Sequence, residues 1–319
     1  MPTLTGAYRP SVPLARGRLY DARTISLHFT DLCNEACVFC AADTAAGRRE
    51  TVSSAQIIAV LDAHPPADWS TVNIHGGEPT LRKDFLHLLE EIRTRGYRRV
   101  ILQTNALRMS NRAYAESVHR IGVDMFACGF HGSTAATSTR ITRNAKAFDL
   151  ALRGFERIKE GGAALRVTTV VCAENVTELP AIAALCASVG VDHLNLSALQ
   201  PQSFARASLV PYDICRPYLV EAIDTARAAG LVVTLEGVPY CTCPGYEDLH
   251  VDWRSQNLKV TFHDLTIDDF NSFVTTTTRV RTDACGSCLV RAECGGVYRD
   301  YLDVHGDSAF EPYRQEATA

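Results

Sequence analysis

The chain has 319 residues, a hydrophobic content of 46% and a formal net charge of −4. This length can bury one large core, and the weakly negative charge argues against nucleic acid as a partner. No apolar stretch approaches the ~18 residues that a membrane-spanning helix needs, and the amino terminus lacks the apolar core of a signal peptide. We therefore expect a cytoplasmic protein with no membrane partner.

Strand and helix patterns alternate through the first two thirds of the chain. Apolar, β-branched segments predict six strands, near residues 24–30, 71–77, 99–105, 125–131, 167–172 and 193–199. Apolar residues at helical spacing predict helices between them, near 53–64, 83–95, 111–121, 144–159 and 178–188. Strands joined by crossover helices run parallel, so the order predicts an α/β fold with either an open sheet or a partly closed barrel.

The alternation of strand and helix patterns weakens after about residue 201. One more helix (211–229) and one more strand (231–236) are predicted there. We therefore divide the chain into an N-terminal segment, residues 1–22, a parallel α/β domain, 23–205, and a cysteine-rich C-terminal extension, 206–319.

Three of the twelve cysteines, Cys33, Cys37 and Cys40, follow the first predicted strand in a CxxxCxxC spacing. Three thiolates this close can hold three irons of a cubane cluster and leave the fourth iron open. A structural zinc site would normally use four ligands in two close pairs. The spacing, with the aromatic Phe39 before the last cysteine, resembles the radical S-adenosylmethionine (radical SAM) superfamily.

This resemblance implies a [4Fe-4S] cluster whose open iron binds S-adenosylmethionine. It also implies an enzyme that reductively cleaves this cofactor to a 5′-deoxyadenosyl radical, which abstracts a hydrogen atom from a substrate. An external electron donor such as flavodoxin or ferredoxin would supply the electron. The implied fold is a partial (β/α)6 TIM-like barrel with the cluster loop at the carboxyl ends of the strands, where barrel enzymes place their chemistry.

A second motif, Gly76-Gly77-Glu78-Pro79, falls at the end of the second predicted strand. By the resemblance, its backbone would bind the amino group of the cofactor's methionine. Glycines allow a close approach and leave carbonyls free to accept hydrogen bonds. The alternative is an ordinary turn in which Pro79 begins a helix.

Further cofactor contacts are assigned from their places on the other strands, as the resemblance suggests. The segment from Gly129 to Ser133 departs from a more usual serine–aspartate turn, so His131 and Ser133 are equal alternatives after the fourth strand. Two cysteines near strand ends, Cys128 and Cys172, are either buried hydrophobes or hydrogen-atom donors. The full set of further cofactor candidates is Thr104, Asn105, His131, Ser133, Arg166, Asn195, Ser197 and Leu199.

The C-terminal region carries a CxxCx5C spacing and, upstream of it, two more cysteines. It resembles the SPASM and twitch extensions that add auxiliary iron–sulfur clusters to a radical SAM barrel. The further cysteines that a two-cluster pattern has after the CxxCx5C run are missing here. The resemblance implies one auxiliary [4Fe-4S] cluster, with zinc as the alternative. Its ligands would be three fixed cysteines and one of the upstream pair: Cys285, Cys288 and Cys294, with Cys241 or Cys243.

The substrate is either a peptide or a small molecule. Relatives with auxiliary clusters often mature ribosomally made peptides, so a peptide is our first prediction. A small metabolite such as a sugar or nucleoside is the alternative. The short segment before the first strand leaves no room for a fused leader-binding domain, so a peptide substrate implies a separate leader-peptide-binding protein. A hypothesis of another class is a non-catalytic iron–sulfur sensor or scaffold.

Overall fold

The fold is described from a computed structural model. The described residues are Leu19, 23–40, 50–200, 203–251, 256–263 and 265–314. Apart from Leu19, the predicted N-terminal segment, 1–22, lies outside them.

A mostly parallel sheet forms the wall of a partial barrel. Among the described residues, eight strands pair in the parallel order β7-β6-β5-β4-β3-β2-β1-β8, and the short β9 runs antiparallel to β8. This order confirms the predicted α/β fold and is consistent with a partial TIM-like barrel. The strands are β1 (Thr24–His28), β2 (Thr71–His75), β3 (Arg99–Thr104), β4 (Met125–Gly129), β5 (Ala164–Val171), β6 (His193–Ala198), β7 (Val232–Glu236), β8 (Leu258–Thr261) and β9 (Thr266–Ile267).

Most of the helices cover the outer face of this wall, whereas α8 packs against a smaller cluster on the inner face. In the second helix, Phe85, Leu88, Leu89 and Ile92 are buried at helical spacing, so its apolar stripe faces the sheet. The helices are α1 (Ser54–Ala63), α2 (Phe85–Thr94), α3 (Arg112–Ile121), α4 (Ala135–Thr142), α5 (Ala147–Glu160), α6 (Leu179–Ser188), α7 (Tyr212–Ala228), α8 (Phe270–Phe273) and α9 (Arg299–His305). Among the described helices, none has both the length and the apolar content to cross a membrane.

Side chains of the strands divide between two cores. The large core between sheet and helices contains Leu27, Ile74 and Leu102. A smaller cluster on the inner face contains Met125, Ala127, Leu258 and Val260, together with Leu19. This alternation follows from the period of two along each strand.

The sheet extends beyond the boundary predicted at residue 205. The helix α7 and the strand β7 continue it on one side, and β8 pairs with β1 on the other. Between these strands the chain returns along β7, where Val251 N donates to Leu235 O at 2.8 Å. The strands β7 and β8, which follow residue 205, thus find their partners in the same sheet, and the division of the chain into domains stays a prediction.

The elements that the sequence patterns missed include one helix and one strand that position the site. The helix α4 has the sequence AATSTRIT, with little apolar content, and begins after Thr134, whose side chain accepts from Thr137 N. The strand β8 has only four residues, and its pairing with β1 joins segments more than two hundred residues apart. Short elements of this kind depend on tertiary contacts.

Candidate functional site

The predicted cluster cysteines lie on the loop that follows β1. Cys33, Cys37 and Cys40 form no disulfide, and all three are partly exposed. The loop is held by α4, since Ala36 N donates to Thr142 O at 2.9 Å and Val38 N to Ile141 O at 3.0 Å. The helix that the sequence patterns missed thus positions the cysteine loop.

Two asparagines fix the start of the same loop. The Asn105 side-chain amide, after β3, donates to Asn34 Oδ1 at 2.6 Å. Asn144, after α4, donates to the Asn34 carbonyl at 3.1 Å. Because Asn34 directly follows Cys33, these contacts set the direction in which the loop leaves β1. Asn105 therefore contacts the loop directly, rather than standing free at a strand end.

The Gly76-Gly77 motif packs against the cysteine loop at very short range. Gly77 N donates to Thr30 O, and Glu78 N to Leu32 O, both at 2.6 Å. A Cβ at Gly76 would lie 2.5 Å from Thr30 O, and one at Gly77 would overlap Leu32 O. Gly76 also has a φ of +143°, which side chains rarely adopt. Among the described residues, no protein group donates a hydrogen bond to the carbonyls of these two glycines.

The carboxylate of Glu78 is fully buried and is used within the protein. It accepts from the Thr104 hydroxyl at 2.8 Å, from Asn105 N at 2.7 Å and from Thr80 N at 3.0 Å. Burial raises the pKa of Glu78, while these hydrogen bonds oppose the rise. Glu78 and Thr104 therefore hold the end of β3 beside the motif, and Pro79 begins the short 3-10 helix Pro79–Leu81.

The chemistry of the thiols fits a bound cation. Burial raises the pKa of Cys33 to about 12 and that of Cys37 well above its usual value. Without a cation both groups would stay protonated at neutral pH. A coordinating metal deprotonates such thiols outright. Three thiols on one loop that form no disulfide, beside two carbonyls that accept no hydrogen bond from the described residues, therefore fit an iron–sulfur cluster and a cofactor amine.

His131 packs edge-on against Phe39 of the cysteine loop. The ring centroids are 4.8 Å apart with an interplanar angle of 84°. His131 Nδ1 accepts from Val170 N at 3.2 Å, and burial lowers the pKa of His131 to about 4. The imidazole is therefore neutral and faces the loop.

Ser133, the alternative at this position, is held by Glu178. Its backbone N–H and its hydroxyl both donate to Glu178 Oε2, at 2.9 and 2.7 Å. Thr137 donates to the other carboxylate oxygen. Ser133 thus fixes the start of α4, and of the two residues His131 is the one that contacts the cysteine loop.

Arg166 does not point towards this site. Its guanidinium donates to Leu19 O at 2.8 Å, and Leu19 N in turn donates to the side chain of Gln256, which precedes β8. This contact lies beside the amino ends of the strands, whereas the cysteine loop follows the carboxyl end of β1. The predicted charge contact between Arg166 and the cofactor is therefore contradicted.

The candidates on and after β6 make contacts within the protein. Asn195 accepts from the Thr234 hydroxyl at 2.7 Å and donates to Glu236 at 2.8 Å, so both ends of its amide are engaged. The Ser197 hydroxyl donates to Ala198 O at 3.3 Å. Leu199 lies just beyond the strand and is buried in the large core.

Four cysteines of the C-terminal region line one cavity. They are Cys241, Cys285, Cys288 and Cys294. Cys243 is completely buried and is absent from the lining of this cavity. Arg216 donates to the carbonyls of Cys241 and Thr242, at 2.6 and 2.7 Å, which fixes this short segment. Of the two upstream alternatives, the structure brings only Cys241 to the other three.

Cys128 and Cys172 are completely buried in the large core. Burial raises the pKa of both thiols. These positions fit the interpretation of both residues as small buried hydrophobes and contradict the alternative of a hydrogen-atom donor facing the site.

A family model described as the Radical SAM superfamily matches residues 27–186, half of the chain. The chain belongs to the radical SAM superfamily. The matched region starts in β1, contains the cysteine loop and the glycine motif, and ends in α6. The superfamily predicted from these two motifs is thereby confirmed.

Among curated proteins, this radical SAM chain is similar to a probable GTP 3′,8-cyclase of Saccharolobus islandicus. The two are 28% identical over 201 residues, which is 63% of this chain and 64% of the relative. The chain thus matches less than two thirds of the length of that relative.

Two solved structures of low sequence identity share the fold. Streptococcus suis SuiB bound to the precursor peptide SuiA has 13% identity and a TM-score of 0.62, over 93% of this chain and 75% of that one. The protein anSMEcpe with bound AdoMet and Cp18Cys peptide has 15% identity and a TM-score of 0.64, over 91% and 92%. At sequence identities this low, the similarity shows a shared fold and nothing more.

Sequence patterns missed several residues that position the radical SAM site. Asn34 and Asn144 lie in loops and carry no periodic signal, although asparagine commonly bonds to nearby backbone in turns. Arg82 is buried and donates to Phe29 O at 2.8 Å while pairing with Asp84. The place of Arg82 in the sequence, shortly after the glycine motif, gave no indication that its side chain bonds to the end of β1.

Proposed function

We propose that this protein is a radical SAM enzyme whose Cys33, Cys37 and Cys40 hold a [4Fe-4S] cluster. In such enzymes the cluster supplies the electron that cleaves S-adenosylmethionine to a 5′-deoxyadenosyl radical, and this radical takes a hydrogen atom from the substrate. The observation that carries the proposal is the direct bonding of the Gly77 and Glu78 backbone to Thr30 and Leu32 of the cysteine loop. This contact joins the two motifs into one site.

The surrounding residues would bind and orient the cofactor. The carbonyls of Gly76 and Gly77, which accept no hydrogen bond from the described residues, would accept hydrogen bonds from the methionine amino group. His131 stays neutral, and its ring and that of Phe39 form an uncharged surface beside the loop. Glu78, Thr104 and Asn105 keep the glycine carbonyls in position through their shared hydrogen bonds.

An auxiliary [4Fe-4S] cluster held by Cys241, Cys285, Cys288 and Cys294 is the second part of the proposal. The support is the cavity that these four thiols share. With four protein thiolates no iron is left for a substrate, which favours electron transfer and a net oxidation. A second cavity adjoins it through Tyr240, Arg281 and Cys294 and is also lined by His250 and Arg279.

A peptide is the substrate that we propose. The fold likeness to two proteins solved with bound peptides extends over more than nine tenths of this chain and so includes the cysteine-rich region. The second candidate is a small molecule, which the sequence similarity to a probable GTP 3′,8-cyclase favours. An external flavodoxin or ferredoxin would deliver the electron, and a separate leader-binding protein would accompany a peptide substrate.

The cleavage activity is tested with anaerobically reconstituted protein, S-adenosylmethionine and a reductant. We expect 5′-deoxyadenosine in the unmutated protein and in Cys186→Ala, which changes a buried thiol in α6, and none in Cys37→Ala. If the unmutated protein leaves the cofactor intact, the enzyme proposal fails and the sensor or scaffold hypothesis replaces it.

The substrate class is tested with deuterium. A short peptide encoded beside this gene, deuterated at its side chains, should transfer deuterium to 5′-deoxyadenosine. Transfer from deuterated GTP, with none from the peptide, would establish the small-molecule alternative.

A further inference from the structure

Three side chains converge beside the cysteine loop from segments far apart in the chain. His28 ends β1, Asp31 follows three residues later, and His263 lies two residues beyond β8. Asp31 Oδ1 is 2.8 Å from His28 Nε2, and Asp31 Oδ2 is 2.9 Å from His263 Nε2. One ligand atom from each residue lies within 4.8 Å of the other two.

We propose that His28, Asp31 and His263 bind one divalent transition-metal ion of the zinc type, separate from the iron–sulfur sites. Two imidazoles and one carboxylate form a donor set typical of zinc and of non-haem iron. This inference does not depend on cofactor cleavage, because none of the three residues belongs to the proposed cluster or cofactor ligands.

The surroundings of His263 suit a cation bound by it and Asp31. Glu50 Oε2 lies 3.9 Å from His263 Nδ1, which places a second carboxylate on the far side of the ring. His263 Nε2 lies 2.9 Å from Asp31 Oδ2, a pair that either a proton on Nε2 or a metal ion bound by both atoms would satisfy. A carboxylate on the far side of a ligating imidazole is also the usual outer partner in metal sites.

Glu50 is itself fixed relative to the site. Asp31 N donates to Glu50 O at 2.8 Å, and Thr30 and Thr51 form an isolated bridge. The residue whose carboxylate faces His263 is thus attached through its backbone to the central ligand Asp31. This attachment makes the outer partner part of the same local structure.

Among the described residues, His28 has one polar contact at its ring, the one with Asp31. Its Nδ1 is buried and has no hydrogen-bond partner in the part of the chain that the structure describes. Its Nε2 lies 2.8 Å from Asp31 Oδ1, so an ion bound by both atoms would replace the proton that joins them. The exposed fractions of His28 and Asp31 are 5% and 4%, and Phe262 lies against the His28 ring at 5.8 Å. The site is therefore shielded from bulk water on this side.

The proposed ion would join two parts of the barrel. His263 belongs to the turn between β8 and β9, whereas Asp31 lies two residues before Cys33. Three protein ligands leave a fourth position for water or another small ligand. Because the ion bridges these segments, it would hold the turn after β8 against the base of the cysteine loop.

Zinc binding to the reconstituted holoprotein tests this site. After equilibrium dialysis with zinc, elemental analysis should find one zinc per chain with the iron and sulfide contents unchanged. The zinc X-ray absorption fine structure should show nitrogen and oxygen ligands at about 2.0–2.1 Å and no sulfur near about 2.3 Å.

His263→Ala is the main variant, because this residue is partly exposed in a turn and its loss should leave the fold intact. It should weaken zinc binding by more than the about 10- to 100-fold that loss of an outer partner costs. His87→Ala, which removes an exposed imidazole on α2, should bind zinc as the unmutated protein does. Asp31→Asn gives a second ligand variant with little change of shape.

Three results would overturn the assignment. One is zinc surrounded by sulfur, which would place it on vacant cysteines. A second is zinc binding of equal strength in His263→Ala and the unmutated protein. The third is absence of zinc at micromolar concentrations, which would show that a hydrogen bond, and not an ion, joins His263 to Asp31.

Discussion

The backbone N–H of Glu78 donates a 2.6 Å hydrogen bond to the carbonyl of Leu32, the residue before Cys33. This bond, and its neighbour from Gly77 to Thr30, place the end of β2 directly on the loop that carries the first three cysteines. The glycines are needed for this close packing between strands, as well as for the proposed approach of a cofactor. The position of the loop therefore depends on the absence of side chains at residues 76 and 77.

Gly77→Ala should impair cofactor cleavage severely. The added methyl group would overlap Leu32 O and meet Asp31 O at 2.7 Å, so backbone has to move. Displacement of a reacting group by about 1 Å can cost about 100-fold in rate, and we expect a loss of that size in 5′-deoxyadenosine formation. Gly162→Ala, in the turn after α5 where a Cβ meets nothing within 4 Å, is the control for an added methyl group outside the site. Equal rates for the two variants would contradict the close-packing argument.

Cys241→Ala and Cys243→Ala should differ in iron content. The reconstituted protein should hold about eight irons per chain, as two [4Fe-4S] clusters require. Cys241→Ala should lose the auxiliary cluster and retain about four, because Cys241 lines the shared cavity. Cys243→Ala should retain all of them, since this residue is buried elsewhere. The reverse outcome would assign the fourth ligand to Cys243, and about four irons with one zinc in the unmutated protein would identify a zinc site.

Arg82→Lys should destabilise the protein through the end of β1. The buried guanidinium donates to the Phe29 and Val52 carbonyls and pairs with Asp84. Lysine cannot reproduce this fork of donors, and each buried acceptor left without a partner costs about 1–3 kcal/mol. We expect a clear fall in the thermal midpoint. In contrast, Arg95→Lys, at a partly exposed arginine paired with Glu91, should change it little.

His193 should make the protein less stable at acidic pH. Burial, assisted by Arg166, lowers the pKa of His193 to about 3, against about 6.5 in an unfolded chain. The folded state thus disfavours the protonated form, so this stability is complete above pH ~6.5 and is lost as the pH falls towards ~3.

Between pH 7.5 and pH 5 the His193 contribution is about 2 kcal/mol. In His193→Gln this contribution is absent. The gap in unfolding free energy between the two proteins should therefore shrink as the pH falls from 7.5 to 5. An unchanged gap would mean that the pKa of His193 is the same in the folded and the unfolded protein.

The local patterns of the chain were sufficient for the family and for most of the barrel. The spacing of Cys33, Cys37 and Cys40 is a property of the sequence itself. The Gly76-Gly77 motif lies at the end of a strand that hydrophobic alternation marks clearly. Both signals reside within a few consecutive residues, so they are readable without the fold. The helices with strong apolar stripes, such as α2, were predicted for the same reason.

Tertiary structure alone decided the contacts between distant segments. Cys241 and Cys243 are separated by one residue and are equivalent as donors, and only packing sends one to the cavity and the other into the core. Arg166 is charged at a strand that leads to the site, yet its contact with Leu19 turns it to the other end of the barrel. The meeting of Asp31 with His263, 232 residues apart, follows from the pairing of β8 with β1. Such contacts depend on the burial of many side chains from all parts of the chain. No short stretch of sequence therefore predicts them.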